Sequence, residues 1–209
     1  MSLFLTFEGL DGSGKSTQVR LLEEYLCSKG RAVRVLREPG GTPIGESIRT
    51  LLLDPSNKDL SDAAELFLFS ASRSQLVEGV IRPLLEAGTV VLCDRFFDST
   101  TAYQGGGRGL SIDMIRAVNR AATGGLEPDR TFFLDVPLEV LSKRLRNSGS
   151  AMDRMEANEA DFHARVRDAY LALATEEERI QVLDGTRPSE ELHEDIRTTC
   201  ASLEVQKDE

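Results

Sequence analysis

A chain of 209 residues, 40% hydrophobic and 29% charged, is long enough for one domain with a substantial core and has ordinary globular composition. Its net charge of −10 argues against a general nucleic-acid binder, and no apolar run approaches the roughly 18 residues of a membrane span. The apolar start at 3–7 is too short for a secretion signal, and Cys27, Cys93 and Cys200 are odd in number with no metal-ligand spacing, so a cytoplasmic chain with buried free thiols is expected.

Residues 3–7 form a short apolar run of strand type. They lead into Gly9-Leu10-Asp11-Gly12-Ser13-Gly14-Lys15-Ser16, which matches GxxxxGK followed by Ser or Thr. A helical pattern follows, with Val19, Leu22 and Leu26 at spacings of three and four. Strand, glycine-rich turn and helix together are the context a P-loop requires. The glycines let backbone N–H groups turn inward around a phosphate, and the helix N-terminus adds partial positive charge. Lys15 can then reach the β- and γ-phosphates, and the Ser16 hydroxyl can ligate Mg²⁺. Residues 9–17, ending with Thr17, are therefore the candidate ATP cradle, with Lys15 catalytic.

After a stop at Gly30, residues 32–36 read as a second strand. Thr42 is placed as an N-cap, with Pro43 at the first helical position and the helix ending near Asp54-Pro55. Asp62 with Glu65 three residues on marks another helix start. Further strands are expected at 89–93, 131–136 and 180–183, and helices at 111–122, 137–146, 157–179 and 188–203. The polar tail 206–209 is expected to fray. Five strands separated by helices imply an α/β domain, a parallel sheet covered on both faces, with ligands beyond the carboxyl ends of the strands. No repeat, linker or low-complexity tract divides the chain, so 1–209 reads as one domain.

Polar residues gather at those strand ends. The second strand runs into Arg37-Glu38-Pro39-Gly40-Gly41-Thr42, the third into Asp94-Arg95-Phe96. Asp94 is either part of the Mg²⁺ environment with Arg95 facing the same phosphates, or the two simply pair or cap a helix. The stretch 98–109, with Tyr103, Gln104 and Gly105-Gly106-Gly107, reads either as a mobile loop that closes over a base or as an ordinary surface loop. Lys143-Arg144-Leu145-Arg146, the small polar residues 147–151 and Asp153-Arg154 suggest a flexible flap carrying positive charge over a nucleotide; a solvated helix end is the alternative. Of the 25 basic residues only five are Lys, which favours forked contacts to phosphate. His163 and His193 pair with no nucleophile. A phosphate acceptor already carries an oxyanion and needs no general base.

These pieces resemble the thymidylate kinase family over nearly the whole length. The resemblance is carried by Phe7-Glu8-Gly9-Leu10-Asp11-Gly12-Ser13-Gly14-Lys15-Ser16-Thr17, Arg37-Glu38-Pro39-Gly40-Gly41-Thr42, 69–73, Asp94-Arg95-Phe96 and 99–109, in family order. It implies a nucleoside monophosphate kinase fold with sheet order 2-3-1-4-5, ATP with Mg²⁺ as donor, dTMP as acceptor and a homodimer. It also implies that Phe69 stacks on thymine and Arg73 bonds its carbonyl edge, with Thr100 and Gln104 completing the base contacts. Arg37, Arg49 and Arg95 would hold the acceptor phosphate. Asp11 would approach the 3′-hydroxyl and Tyr103 crowd the 2′ position. Arg144 and the turn at Thr186-Arg187 would lie near adenine. Some members carry an arginine after the acidic P-loop residue; Gly12 stands there in this chain. That matches the bacterial type, which supplies its catalytic arginine from a lid, at about 144–156. Arg146, continuous with a helix, is preferred, and Arg154 is the alternative.

A regulatory GTPase would need an NKxD motif, and Asn57-Lys58-Asp59-Leu60 lacks the final Asp; Phe97 likewise replaces the glycine of a DxxG switch. A deoxynucleoside kinase would need a carboxylate base and no arginine trio for an acceptor phosphate. An inactive nucleotide-binding module would not be expected to keep both Lys15 and Arg95.

Overall fold

The computed structural model describes residues 2–148, 153–155 and 158–208. Strand β1 (Phe4–Glu8) leads through the glycine-rich turn into α1 (Lys15–Ser28). Strand β2 (Val33–Arg37) precedes α2 (Pro43–Leu53) and α3 (Asp62–Leu76), and a π-helical turn at Val77–Ile81 carries α3 into α4 (Arg82–Glu86). Strand β3 (Val90–Asp94) is followed by α5 (Phe97–Thr100) and a second π-helical stretch, Thr101–Gly107. Then come α6 (Ile112–Thr123), β4 (Arg130–Asp135), α7 (Leu138–Ser148), α8 (Ala160–Glu176), β5 (Ile180–Asp184) and α9 (Ser189–Asp208). The sheet order is β2-β3-β1-β4-β5, with every neighbouring pair parallel, as the resemblance implies.

The sheet is covered on both faces, which is why β1 is buried at all five positions. Leu5 and Phe7 meet Val19, Leu22 and Leu26 of α1 and Ile196 of α9. Phe4 points the other way, against Leu76, Val77 and Phe96. Fully burying a side chain of this size contributes roughly 1.5–3 kcal/mol. Alternation along β1 also puts Thr6 and Glu8 on that second face, where Thr6 Oγ1 lies 2.8 Å from Thr131 Oγ1.

Several boundaries differ in instructive ways. Thr42 caps α2 as expected, its Oγ1 accepting from Gly45 N at 2.9 Å. The cap of α3 is Ser61, which accepts from Ala64 N, so Glu65 is released from any capping duty. Helix α9 runs through Asp208 instead of fraying at 206, with Leu203 and Cys200 in the core; Glu209 lies outside the described residues. Cys93 and Cys200 are buried free thiols, whereas Cys27 is exposed on the outer side of α1.

The largest departure is 98–109. Neither a surface loop nor a mobile one, it is mostly helical and largely buried, with Ala102, Tyr103 and Gln104 almost wholly enclosed. Its glycines serve contact: a Cβ on Gly107 would come within 2.5 Å of the Phe162 ring, and one on Gly106 would run into Ala169. Both neighbours belong to α8, so the missing side chains let the two helical segments touch. Gly107→Ala is expected to lower unfolding free energy by about 1–3 kcal/mol through overpacking, measured by urea denaturation. An unchanged midpoint would show that α8 is free to shift away.

Candidate active site

A cavity of about 460 Å³ opens beyond the carboxyl ends of β1, β2 and β3. Its lining includes the P-loop residues Asp11, Gly12, Gly14, Lys15, Ser16 and Thr17. Phe69, Thr100, Tyr103 and Gln104 line it as well. So do Arg37, Arg49 and Arg95, with Glu38, Asp94, Asp153 and Met155. The sheet topology collects these residues from points far apart in sequence.

At the P-loop, Lys15 Nζ donates to Gly9 O at 3.0 Å and Leu10 O at 3.1 Å, and lies 3.8 Å from Asp11. Burial, then Arg95, pulls the Lys15 pKa down, and Asp11 and Asp94 oppose them. Ser16 Oγ donates to Asp94 Oδ2 at 3.0 Å. A hydroxyl and a carboxylate so placed form a hard oxygen pair of the kind that suits Mg²⁺. Asp94 and Arg95 do not pair with each other. Gly12 has φ +80, and a Cβ there would sit 3.4 Å from Leu145 of α7.

Arg95 has φ +73, a left-handed conformation for a non-glycine residue. Its guanidinium donates to Asp11 Oδ1 at 2.8 Å, to Ser99 Oγ at 3.2 Å and to the Tyr103 hydroxyl at 3.3 Å. Burial would raise the Asp11 pKa, but Arg95 and Lys15 outweigh it and hold the carboxyl well below its ordinary value. Arg37 meets Glu46 and Pro39 O, and Arg49 donates to Pro39 O at 3.0 Å. Both side chains keep partial exposure on the cavity wall.

Arg73 sits behind the wall instead of on it. It is only 1% exposed. Its donors are met by Glu38 (2.8 Å), Thr100 Oγ1 (2.9 Å), Asn119 Oδ1 (3.4 Å) and Phe96 O (3.2 Å). Thr100 and Gln104, in contrast, line the cavity directly. Arg144 ties α7 to the P-loop and the turn after β5, donating to Gly12 O at 3.2 Å and Gly185 O at 2.9 Å. The Arg187 guanidinium is held on α9, by Asp195 at 2.6 Å and Glu191 at 3.3 Å. Arg146 is exposed on α7. Arg154 stands between two cavity-lining residues but pairs with Glu65 at 2.6 Å. Residues 149–152 of the expected flap lie outside the described residues.

Four buried carboxylates among the described residues were not predicted as site residues, of which Asp98 pairs with Arg179. Glu8 accepts from Phe96 N, Ser99 Oγ and the Tyr170 hydroxyl at 2.6–2.7 Å. Glu65 gathers Gln104, Arg108 and Arg154. Glu38 pairs with Arg73, and its Oε1 has no hydrogen-bond partner among the described residues. Burial pushes the Glu38 pKa up to about 7 from 4.5, against the pull of Arg73. The native state therefore holds this proton more tightly than the unfolded chain. The associated stability is present below pH about 4.5 and lost as pH rises through about 7. Urea unfolding at about pH 5 and about pH 8 is expected to show a larger loss for the wild type than for Glu38→Gln; equal losses would assign the pH dependence to other groups.

The thymidylate kinase family model matches residues 7–196. A thymidylate kinase of Chlorobaculum parvum is 48% identical, covering 99% of each chain, and one of Desulfovibrio desulfuricans is 51% identical, covering 91% of each. The crystal structure of thymidylate kinase from Ehrlichia chaffeensis superposes with a TM-score of 0.77 at 34% identity, over 95% of this chain and 98% of that one. Matched by the family model over residues 7–196 and by relatives along nearly its whole length, the chain belongs to the thymidylate kinase family.

Proposed function

We propose that the protein is a thymidylate kinase that transfers the γ-phosphate of ATP to dTMP, giving dTDP and ADP in the route to dTTP. The observation that carries this is one cavity lined together by the P-loop, by Phe69, Tyr103 and Gln104, and by three arginines. An acceptor phosphate oxygen attacks the γ-phosphorus as the bond to the ADP oxygen breaks. No side chain has to remove a proton, so the protein's work is positioning and charge neutralisation.

In this reading the P-loop holds the donor phosphates and Lys15 reaches the β- and γ-oxygens. Ser16 and Asp94 would hold Mg²⁺, which supplies charge neutralisation at the donor phosphates. Arg37, Arg49 and Arg95 hold the acceptor phosphate. Phe69 stacks on thymine, and Thr100 and Gln104 read its edge. Arg73 supports Thr100 from behind and reaches thymine only by exchanging one of its present partners. Asp11 and Tyr103 lie at the sugar. Arg144 borders the adenine side, and Arg187 reaches it only by leaving Asp195. The lid arginine is Arg154 in preference to Arg146, because Asp153 and Met155 beside it line the cavity. A homodimer fits the paired helices α2 and α3, which leave Ile44, Leu51 and Phe67 more than half exposed. No helix among the described residues is long and apolar enough to cross a membrane. The substrates and free thiols support a cytoplasmic enzyme.

The reaction is tested by a coupled assay of ADP release with ATP and a panel of nucleosides and monophosphates. dTMP is expected to give the highest kcat/KM; faster turnover of thymidine, or of GTP without an acceptor, would overturn the assignment.

The lid reading is tested separately. An arginine acting in the transition state contributes about 10³–10⁵ in turnover, and its loss lowers kcat and kcat/KM together. Arg154→Ala is expected to show this loss more strongly than Arg146→Ala. If the double variant, folded by circular dichroism, retains more than about a tenth of wild-type kcat, roughly 1.4 kcal/mol, neither arginine has the role.

A further inference from the structure

Glu65 sits on α3 with its carboxylate 1% exposed. Its Oε1 accepts from Gln104 Nε2 at 2.8 Å and from Arg108 Nε at 3.2 Å. Its Oε2 accepts from Arg108 at 3.1 Å and lies 2.6 Å from the Arg154 guanidinium. Both oxygens are thus used, and by groups from two different places. Gln104 lines the cavity, where the reading above places the base. Arg154 belongs to the segment after α7, and is also held by Leu52 O at 2.7 Å. Arg108 closes the arrangement through Asn158, at 2.9 Å, whose amide donates in turn to Met155 O at 2.7 Å.

We propose that Glu65 is a positioning residue that couples pyrimidine recognition at Gln104 to the placement of Arg154. The inference rests on the dTMP-kinase reading above. Its physical basis is that an ionised carboxylate can only accept hydrogen bonds. The Gln104 amide must turn its NH₂ end toward Glu65, which leaves the carbonyl oxygen to face other groups in the cavity that Gln104 lines. A carbonyl there complements the ring N–H of thymine and opposes the bare ring nitrogen of cytosine. The same carboxylate is the charge partner of Arg154, so a base that pulls on Gln104 alters the field and geometry that hold the arginine. Burial alone would raise the Glu65 pKa, but Arg108, Gln104 and Arg154 reverse this and keep it ionised. A chain of charge-assisted bonds in a site closed to water transmits such changes strongly.

The experiment is a double-mutant cycle read as kcat/KM for dTMP. Gln104→Leu, Arg154→Lys and their combination are measured in the wild-type background and in Glu65→Gln. With Glu65 present, the two substitutions are expected to deviate from independence by at least about threefold, and in Glu65→Gln to combine independently. Glu65→Gln alone is expected to raise KM for dTMP, lower kcat and narrow the preference for dTMP over dCMP, with Glu65→Asp recovering part of each. A residue that merely supports folding would not change the interaction between the other two. Independence in both backgrounds overturns the proposal, as does an unchanged interaction in Glu65→Gln. Should Glu65→Gln fail to fold, the cycle in the wild-type background decides alone: coupling supports the proposal and independence overturns it. If the wild-type protein does not phosphorylate dTMP at all, the underlying reading falls and the coupling with it. If it does and the cycle shows independence, only the coupling falls.

Discussion

The carboxylate of Glu8 holds the active end of the sheet in shape. It stands at the end of β1, fully buried, and receives the backbone N–H of Phe96, the hydroxyl of Ser99 and the phenol of Tyr170. Those three donors come from the turn after β3, from α5 and from α8. The turn they fix contains Arg95 in a left-handed conformation, which costs on the order of 1–2 kcal/mol and persists only where neighbours over-determine it. That conformation sends the guanidinium across the P-loop to Asp11. Burial, and then the nearby Asp98, raises the Glu8 pKa, while its three donors favour the charged form. Losing this carboxylate would release the turn, and with it the arginine that the cavity is organised around.

The same device recurs wherever a buried guanidinium must be held still. Arg73 rests on Glu38, Arg108 and Arg154 on Glu65, and Arg179 on Asp98. None of these four arginines lines the cavity, so the device stiffens the structure behind it and not the wall itself. The excess negative charge is partly internal, placed beneath the arginines that need orienting. The exposed i,i+4 pairs, such as Arg20 with Glu24, contribute little beside these.

What was legible in the sequence follows from this. The P-loop and the parallel sheet could be read because backbone geometry dictates them: phosphate needs inward N–H groups, and apolar runs between helices need a parallel sheet; the strand order came from the family resemblance alone. The cavity wall could be read where a residue acts with its own side chain, as Phe69 and Gln104 do in lining it. Glu8 and Glu65 could not, because a buried carboxylate and a solvated one look alike in a string of letters; Glu65 even resembled a capping residue. The glycines at 105–107 misled for a related reason. Glycine signals freedom when seen locally, and here Gly106 and Gly107 signal contact with α8. The resemblance implies Arg73 at the base, but nothing in the sequence showed that its donors would be occupied from within.

Gly12 sets the terms on which this chain could be changed into the other arrangement of its family. Placing an arginine in the P-loop would require one substitution on paper. At this position the backbone is left-handed, so the arginine would arrive strained, although its Cβ would meet Leu145 only at an ordinary contact distance of 3.4 Å. The first step would cost stability through the backbone before any new charge could act. A route to a P-loop arginine therefore begins with a loss of stability, and its passage depends on the order in which mutations occur.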